Sequence, residues 1–165
     1  MSETAAVAKP ALPRRNGTQF ATFFVTDLYF GIDVLDVQEV MRHREMTRVP
    51  LAPAVVEGLI NLRGQIVTAI DMRRTLHLPP RGGEENATNI VVRTPEGAVS
   101  LLVDEIGDVV EVDENSFEPP PETLRGSVRT IILGVHKLND RLMHVLDIEK
   151  ACQMTEAAEK ATAGR

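Results

Sequence analysis

Tryptophan is absent, and a single cysteine, Cys152, stands in 165 residues. The lone thiol excludes an internal disulfide and fits a reducing compartment. Aromatic residues make up only 4% of the chain, too few for the exposed stacking platforms on which small barrels hold single-stranded nucleic acid. Positive charge is in deficit. Eighteen Lys and Arg against 24 Asp and Glu leave a net charge of −6, which argues against non-specific binding to DNA, RNA or anionic membrane. No apolar run approaches the roughly 20 residues of a membrane-spanning helix, and residues 1–17 lack the apolar centre of a secretory signal. The chain reads as cytosolic.

Motifs of catalysis are also missing. Arg81-Gly82-Gly83-Glu84 is too short for a phosphate-cradling loop and carries an acid where a phosphate would sit. No G-x-S-x-G elbow occurs. The histidines at 43, 77, 136 and 144 form no H-x-x-x-H or H-E-x-x-H unit. A hydrolytic or ligand- or metal-binding reading therefore needs His136, His144 and Asp147 to converge from separate positions. Cys152 has only Lys150 as a basic neighbour and reads as a packing thiol of a C-terminal helix rather than a nucleophile. No cofactor is expected.

What is present is a globular composition, 43% hydrophobic and 25% charged, in a chain long enough to bury roughly two-thirds of its unfolded surface without a metal or disulfide. Residues 1–17 are rich in Ala, Pro and polar residues and predict a disordered tail. From Gln19 the pattern turns to short strands. Phe30, Ile32 and Val34 alternate with Gly31 and Asp33, and similar runs recur at 20–25, 65–70, 89–93, 98–103, 109–112, 129–133 and 141–146. Single helical turns are expected at 55–61 and 71–76. A longer helix is expected from an Asp147 cap towards Ala161, fraying beyond about residue 156. Many short strands at close spacing predict a mainly β fold of small barrels.

The chain repeats itself. Gly58-Leu59-Ile60 leads to Ile70-Asp71 at the spacing at which Gly134-Val135-His136 leads to Leu146-Asp147, and Phe30 to Val34 matches Val99 to Val103. Two units of about 70 residues follow, one barrel each. The expected boundary lies near 77–88, with exchange of a terminal strand allowed. Acids crowd 104–118 (Asp104, Glu105, Asp108, Glu111, Asp113, Glu114, Glu118) with no Lys or Arg among them. Interleaved with Ile106, Val109, Val110 and Val112, they read as the wet side of strands, or as a patch steering a basic partner. Arg42, Arg44, Arg48, Arg63, Arg73 and Arg74 form the basic counterpart in the first half.

Three stretches carry a family pattern: a Tyr29-Phe30-Gly31-Ile32-Asp33 strand running into an expected turn at Val37-Gln38-Glu39-Val40; Val56-Glu57-Gly58 running into Asn61-Leu62-Arg63-Gly64 and Ile70-Asp71; and Leu102-Val103-Asp104-Glu105-Ile106. As a set, over residues 18–152, the chain resembles the CheW family of chemotaxis coupling proteins. The resemblance implies two side-by-side five-stranded SH3-like barrels, with 153–165 as the end of a C-terminal helix and a frayed tail. It implies no catalysis. The implied role is a scaffold, recruited from the cytoplasm to membrane-associated receptor arrays, that links the cytoplasmic hairpin tip of methyl-accepting chemoreceptors to the regulatory domain of a CheA-type histidine kinase. Direct membrane insertion is not expected. Carried over residue by residue, the pattern points to Val37, Glu39, Gly58, Asn61 and Arg63 for receptor binding and assigns no residue to the kinase.

A receptor tip is helical, so its reader should offer apolar anchors with placed polar groups. Val37 and Val40 can be those anchors, or can close the barrel core instead. Glu39 can pair with a basic side chain of the partner. Gly58 fits a close backbone approach or a positive φ. Arg63 can cap local carbonyls or reach a partner acid bidentately. The loop at Pro119-Pro120-Pro121 lacks the aromatic that some relatives place there, which implies a weaker kinase contact if that loop makes one.

Overall fold

The computed structural model describes residues 19–42, 45–82 and 87–153. The expected tail at 1–17 and the end of the expected C-terminal helix lie outside them. Eleven strands and two short helices follow in chain order: β1 (Gln19–Val25), β2 (Leu28–Asp33), β3 (Val37–Arg42), β4 (Val56–Leu62), β5 (Gln65–Asp71), α1 (Met72–Thr75), β6 (Thr88–Thr94), β7 (Gly97–Val103), β8 (Glu105–Glu111), β9 (Phe117–Glu118), α2 (Gly126–Thr130), β10 (Ile132–Lys137) and β11 (Leu142–Leu146). A further helix occupies 148–153. Its cap is Asp147, whose Oδ1 accepts from the Lys150 amide at 3.1 Å.

The strands form two sheets, β8-β1-β2-β11-β10-β9 and β3-β6-β7-β5-β4. Each takes strands from both halves of the chain. β1 and β2 stand in the first sheet, the chain crosses to the second for β3 through β7, and it returns with β8. Residues 77–88 therefore join strands of one sheet. The repeat reaches down to register. In the β4–β5 hairpin the ladder slips between Val56 and Gly58, and in the β10–β11 hairpin between Ile132 and Gly134. β5 pairs in parallel with β7 through Ala69 and Ser100, and β11 with β2 through Val145 and Gly31. At both hairpins a short edge segment lies against the glycine. Thr47 bridges Leu59, and β9 pairs Glu118 with Val135. A Cβ on Gly58 would stand 2.8 Å from the Thr47 carbonyl oxygen, so the glycine there admits a neighbouring backbone.

Alternation on the central strands explains where the core sits. β2, β6, β7 and β11 are buried on both faces. One face of each meets the other sheet, and Phe23, Phe30, Ile32, Ile70, Ile90, Val92, Leu101, Val103 and Leu146 form one shared core. The opposite faces fill each sheet's own interior, with Phe20, Tyr29, Met143 and Val145 in the first and Ile60, Leu62, Val67, Ala69, Val91 and Leu102 in the second.

Three local expectations are corrected. The helical turn expected at 55–61 is replaced by strand β4, Val56–Leu62: the even positions Gly58, Ile60 and Leu62 are buried while their neighbours are not, a period of two. Residues 129–133 are the end of α2 followed by the start of β10, because Val128, Ile131 and Ile132 recur at helical spacing before the strand begins. Val37 to Val40 is not a turn but the start of β3, while the expected strand residue Val34 opens a 3-10 turn capped by Asp33.

Candidate functional site

β4 and β5 are joined by the two-residue turn Arg63-Gly64, flanked by the pair Leu62 and Gln65. Both turn residues have positive φ, +53° at Arg63 and +86° at Gly64, the hairpin geometry whose twist matches that of the strands. Asn or Gly is favoured at the first position, and a long side chain there is uncommon. The Gly64 amide donates to Asn61 Oδ1 at 2.9 Å, so Asn61 holds the turn.

Arg63 reaches back across the sheet. Its Nη1 and Nη2 donate to the two carboxylate oxygens of Glu39 on β3 at 2.6 and 3.0 Å. β3 and β4 are opposite edges of the five-stranded sheet, so this bidentate pair spans the seam between them. Glu39, expected to meet a basic side chain of a partner, meets one of its own chain. The Arg63 side chain is still 73% exposed, and two of its nitrogens are engaged by Glu39, so a face of the guanidinium remains turned to solvent. The side-chain hydrogen bonds to Glu39, with its charge, raise the Arg63 pKa further. This end of the sheet thus presents a fixed cation.

The other candidates fall into place around this pair. Val37 is half-buried and packs against the shared core, whereas Val40 is 45% exposed. An aspartate at 37 would therefore disturb the core as well as any surface. Gly58 is buried beside Met46 and Thr47. Leu35, not singled out in the sequence, is 60% exposed on the turn before β3. Its signal was a leucine one residue beyond the end of the alternating pattern.

The basic and acidic faces are less simple than the sequence suggests. Arg73 turns inward, and Asp104 lies between β7 and β8 rather than on the wet side of a strand. Arg73 Nη2 lies 2.8 Å from Asp104 Oδ2 and Arg81 Nη2 lies 2.9 Å from Asp104 Oδ1, and the Thr26 amide donates to the same carboxylate at 2.6 Å. Arg74 donates to the Ala54 carbonyl at 2.9 Å and lies 3.5 Å from Glu57. Arg44 lies outside the described residues. Glu105, Asp108 and Glu111 on β8 are exposed, as is Val109 among them.

The three residues of a hydrolytic or metal-binding reading do not converge. On the β10–β11 hairpin His136 pairs with Met143 and His144 with Val135, which puts the two rings on opposite faces. His144 Nδ1 lies 2.9 Å from the Tyr29 carbonyl oxygen, and Asp147 caps a helix. Among the described residues no three of His, Cys, Asp and Glu are grouped to hold a metal ion. His136 is a core residue. It lies between Phe20 and Phe117 and shares a 2.7 Å hydrogen bond with Ser116 through Nδ1. Burial lowers its pKa. The native state keeps the ring neutral while the unfolded chain protonates it below the ordinary value near 6.5. The unfolded state then binds more protons, so stability falls as pH drops below that value. The urea midpoint should decline from about pH 7 to about pH 5.5, and His136→Gln should flatten the decline; an equal slope in both proteins would assign it elsewhere.

Residues 19–156 match the family model described as a CheW-like domain. The chemotaxis protein CheW of Klebsiella aerogenes is 31% identical over 142 residues, covering 86% of either chain. That of Treponema pallidum is 28% identical over 147 residues, covering 87% of this chain and 86% of its own. The crystal structure of the scaffolding protein TtCheW from Thermoanaerobacter tengcongensis superposes with a TM-score of 0.72 at 30% identity, over 79% of this chain and 88% of that one. The two sheets are accordingly two SH3-like β-barrels with few helices.

Proposed function

Since the chain belongs to the CheW family, a family of non-enzymatic chemotaxis coupling scaffolds, we propose that it presents the Arg63 turn and the β3 edge to the cytoplasmic tip of a methyl-accepting receptor and so links that receptor to a CheA-type histidine kinase. The observation that carries the site is Arg63 itself. A long cationic side chain occupies a positive-φ turn position that Asn or Gly fills more readily, is exposed, and is held in one orientation by Glu39. A fixed, exposed guanidinium is suited to carboxylates and carbonyl oxygens on a helical hairpin. Val40 and Leu35 supply exposed apolar surface on the same segment. Recruitment to receptor arrays at the membrane follows from this contact, and no helix among the described residues is long and apolar enough to cross a membrane.

Replacing Arg63 by asparagine separates binding from folding. Asparagine suits the turn, so the melting temperature should hold or rise. Co-sedimentation with receptor-containing membranes should weaken about tenfold or more, as for loss of a charge-assisted anchor. Glu111→Ala, on the exposed face of β8, should bind normally. Normal binding by Arg63→Asn would remove the turn from the receptor surface.

A further inference from the structure

The 3-10 turn at Val34–Asp36 carries Leu35, and the backbone of Leu35 is gripped on both sides by side chains. Its amide donates to Asp33 Oδ1 at 2.9 Å. Its carbonyl oxygen accepts from Arg93 Nη1 at 3.0 Å, and the same nitrogen donates to the Val37 carbonyl oxygen at 3.2 Å. Both carbonyls need an outside donor for a reason visible in the ladder. β3 pairs Val37 with Val92 and Glu39 with Val91, leaving Gln38 as a bulge, and bulges interrupt regular pairing and redirect the strand. Backbone acceptors at such a place fall outside the regular ladder, and Arg93, projecting from β6 beside the bulge, supplies them a fixed donor in place of water. Asp33 is held at some cost, since its Oδ2 is buried with no hydrogen-bond partner among the described residues.

All of this rigidity surrounds a leucine whose side chain is 60% exposed. An apolar side chain in water gains nothing for the fold, whereas an anchor fixed before it meets its partner loses less entropy on binding. We propose that Arg93 is a positioning residue for the receptor contact: by clamping the Leu35 and Val37 carbonyls it holds the turn that presents Leu35 to an apolar face of the receptor helix. Arg93 acts through Leu35 and does not itself touch the receptor. The inference rests on the receptor-facing role of the β3 segment given above.

The test uses the full chain and membrane vesicles carrying a methyl-accepting receptor from the native host. Arg93→Ala should bind about tenfold more weakly, with faster amide exchange confined to the residues around Leu35 and a nearly unchanged melting temperature. Arg93→Lys, whose ammonium can donate to the same carbonyls, should recover much of the loss. Leu35→Ser should bind as poorly as Arg93→Ala. Wild-type binding by Arg93→Ala beside a weak Leu35→Ser overturns the positioning role and leaves the surface in place. Loss in Arg63→Asn but not in Leu35→Ser overturns the anchor and leaves the Arg63 turn. If Leu35→Ser and Arg63→Asn both bind normally, the receptor surface itself is wrong. A large fall in melting temperature for Arg93→Ala without rescue by lysine makes Arg93 structural and overturns the inference as well.

Discussion

Replacing Asp104 by alanine should lower the melting temperature by roughly 10 °C, read by calorimetry or circular dichroism. Asp104 sits where the chain leaves β7 in one sheet for β8 in the other. Its carboxylate accepts from Arg73 Nε at 3.0 Å to each oxygen and from Arg81 Nε at 3.0 Å, besides the contacts already described. The same Arg73 donates through Nη1 to the Pro79 and Pro80 carbonyl oxygens at 3.3 and 3.1 Å. One carboxylate thus gathers the β1–β2 turn, α1 and the linker after it. The side chains of Arg73, Arg81 and Asp104 are only 13, 12 and 16% exposed. Removing the anion leaves two guanidiniums with little water to replace it; among the described residues Arg81 keeps only Asp71 as an ion-pair partner, at 3.7 Å. Breaking a pair so enclosed costs about 3 kcal/mol, which at this chain length corresponds to about 2–4 °C per kcal/mol. Burial would by itself raise the Asp104 pKa, but the hydrogen bonds from Arg73, Thr26 and Arg81 outweigh it and hold it below the usual carboxylate range. Its contribution is therefore full above about pH 4 and is lost as pH falls through the lower folded value. Asp104→Asn, which keeps hydrogen-bonding oxygen but no charge, should lose less. A shift of only a degree or two for Asp104→Ala would mean that water reaches the arginines freely.

Phe30→Ala should cost more, about 4 kcal/mol, as large-to-small changes in cores do, and it should lower both sheets together. Phe30 is fully buried, stacks on Phe23 at 5.4 Å between ring centroids, and belongs to the core the two sheets share. It stands on β2 of the six-stranded sheet, yet that core also contains Ile90 and Leu101 of the other. Two barrels with separate interiors would unfold in two steps, the damaged one first. Here each sheet loses one wall when its neighbour goes, so urea unfolding should remain a single transition at a lower midpoint. Histidine resonances of the first sheet and methyl resonances of Val67 and Val91 in the second should report the same midpoint. Two separated midpoints would show that the shared core does not couple them.

The hairpin repeat was legible because it is local. A glycine, an apolar step and a closing aspartate fall at equal spacing in sequence, and the structure repeats even the register slip at each glycine. The Asp33, Asp71 and Asp147 caps show the same locality, each Oδ1 accepting an amide two or three residues on. β3 and β4 were misread because neither shows a clean apolar alternation in its sequence, although β4 alternates in burial. β3 carries a bulge at Gln38, and β4 mixes half-buried residues at an exposed edge with a glycine that serves a neighbour. The exchange of a strand between sheets was allowed for but could not be located, since β1 and β8 have no mark in sequence that pairs them with each other rather than within their own halves. The candidate residues Glu39, Asn61 and Arg63 were chosen by resemblance; Asn61 holds its own turn, but the pairing of Arg63 with Glu39 depends on two sheet edges meeting, and the link from Arg73 to Asp104 likewise depends on the tertiary fold. Charge counting placed Asp104 on the wet side of a strand and Arg73 in a separate basic set, whereas in the fold the two pair with each other.

The crossing of the chain between sheets also sets the order in which this protein can be made. A ribosome delivers β1 and β2 first, but β1 must wait for β8, and Phe30 on β2 for His144 on β11. The second sheet is complete once β7 has emerged; the first stays open until β11 has followed. Through that interval Phe20, Phe23 and Phe30 sit on a two-stranded ribbon with both edges unpaired, too small to be stable alone and inviting to any other strand. Contacts so distant along the chain close slowly. Vectorial synthesis therefore yields no finished first barrel to shelter the second, and the N-terminal hairpin is the part of the nascent chain most dependent on holding factors or on rapid completion of the C-terminus.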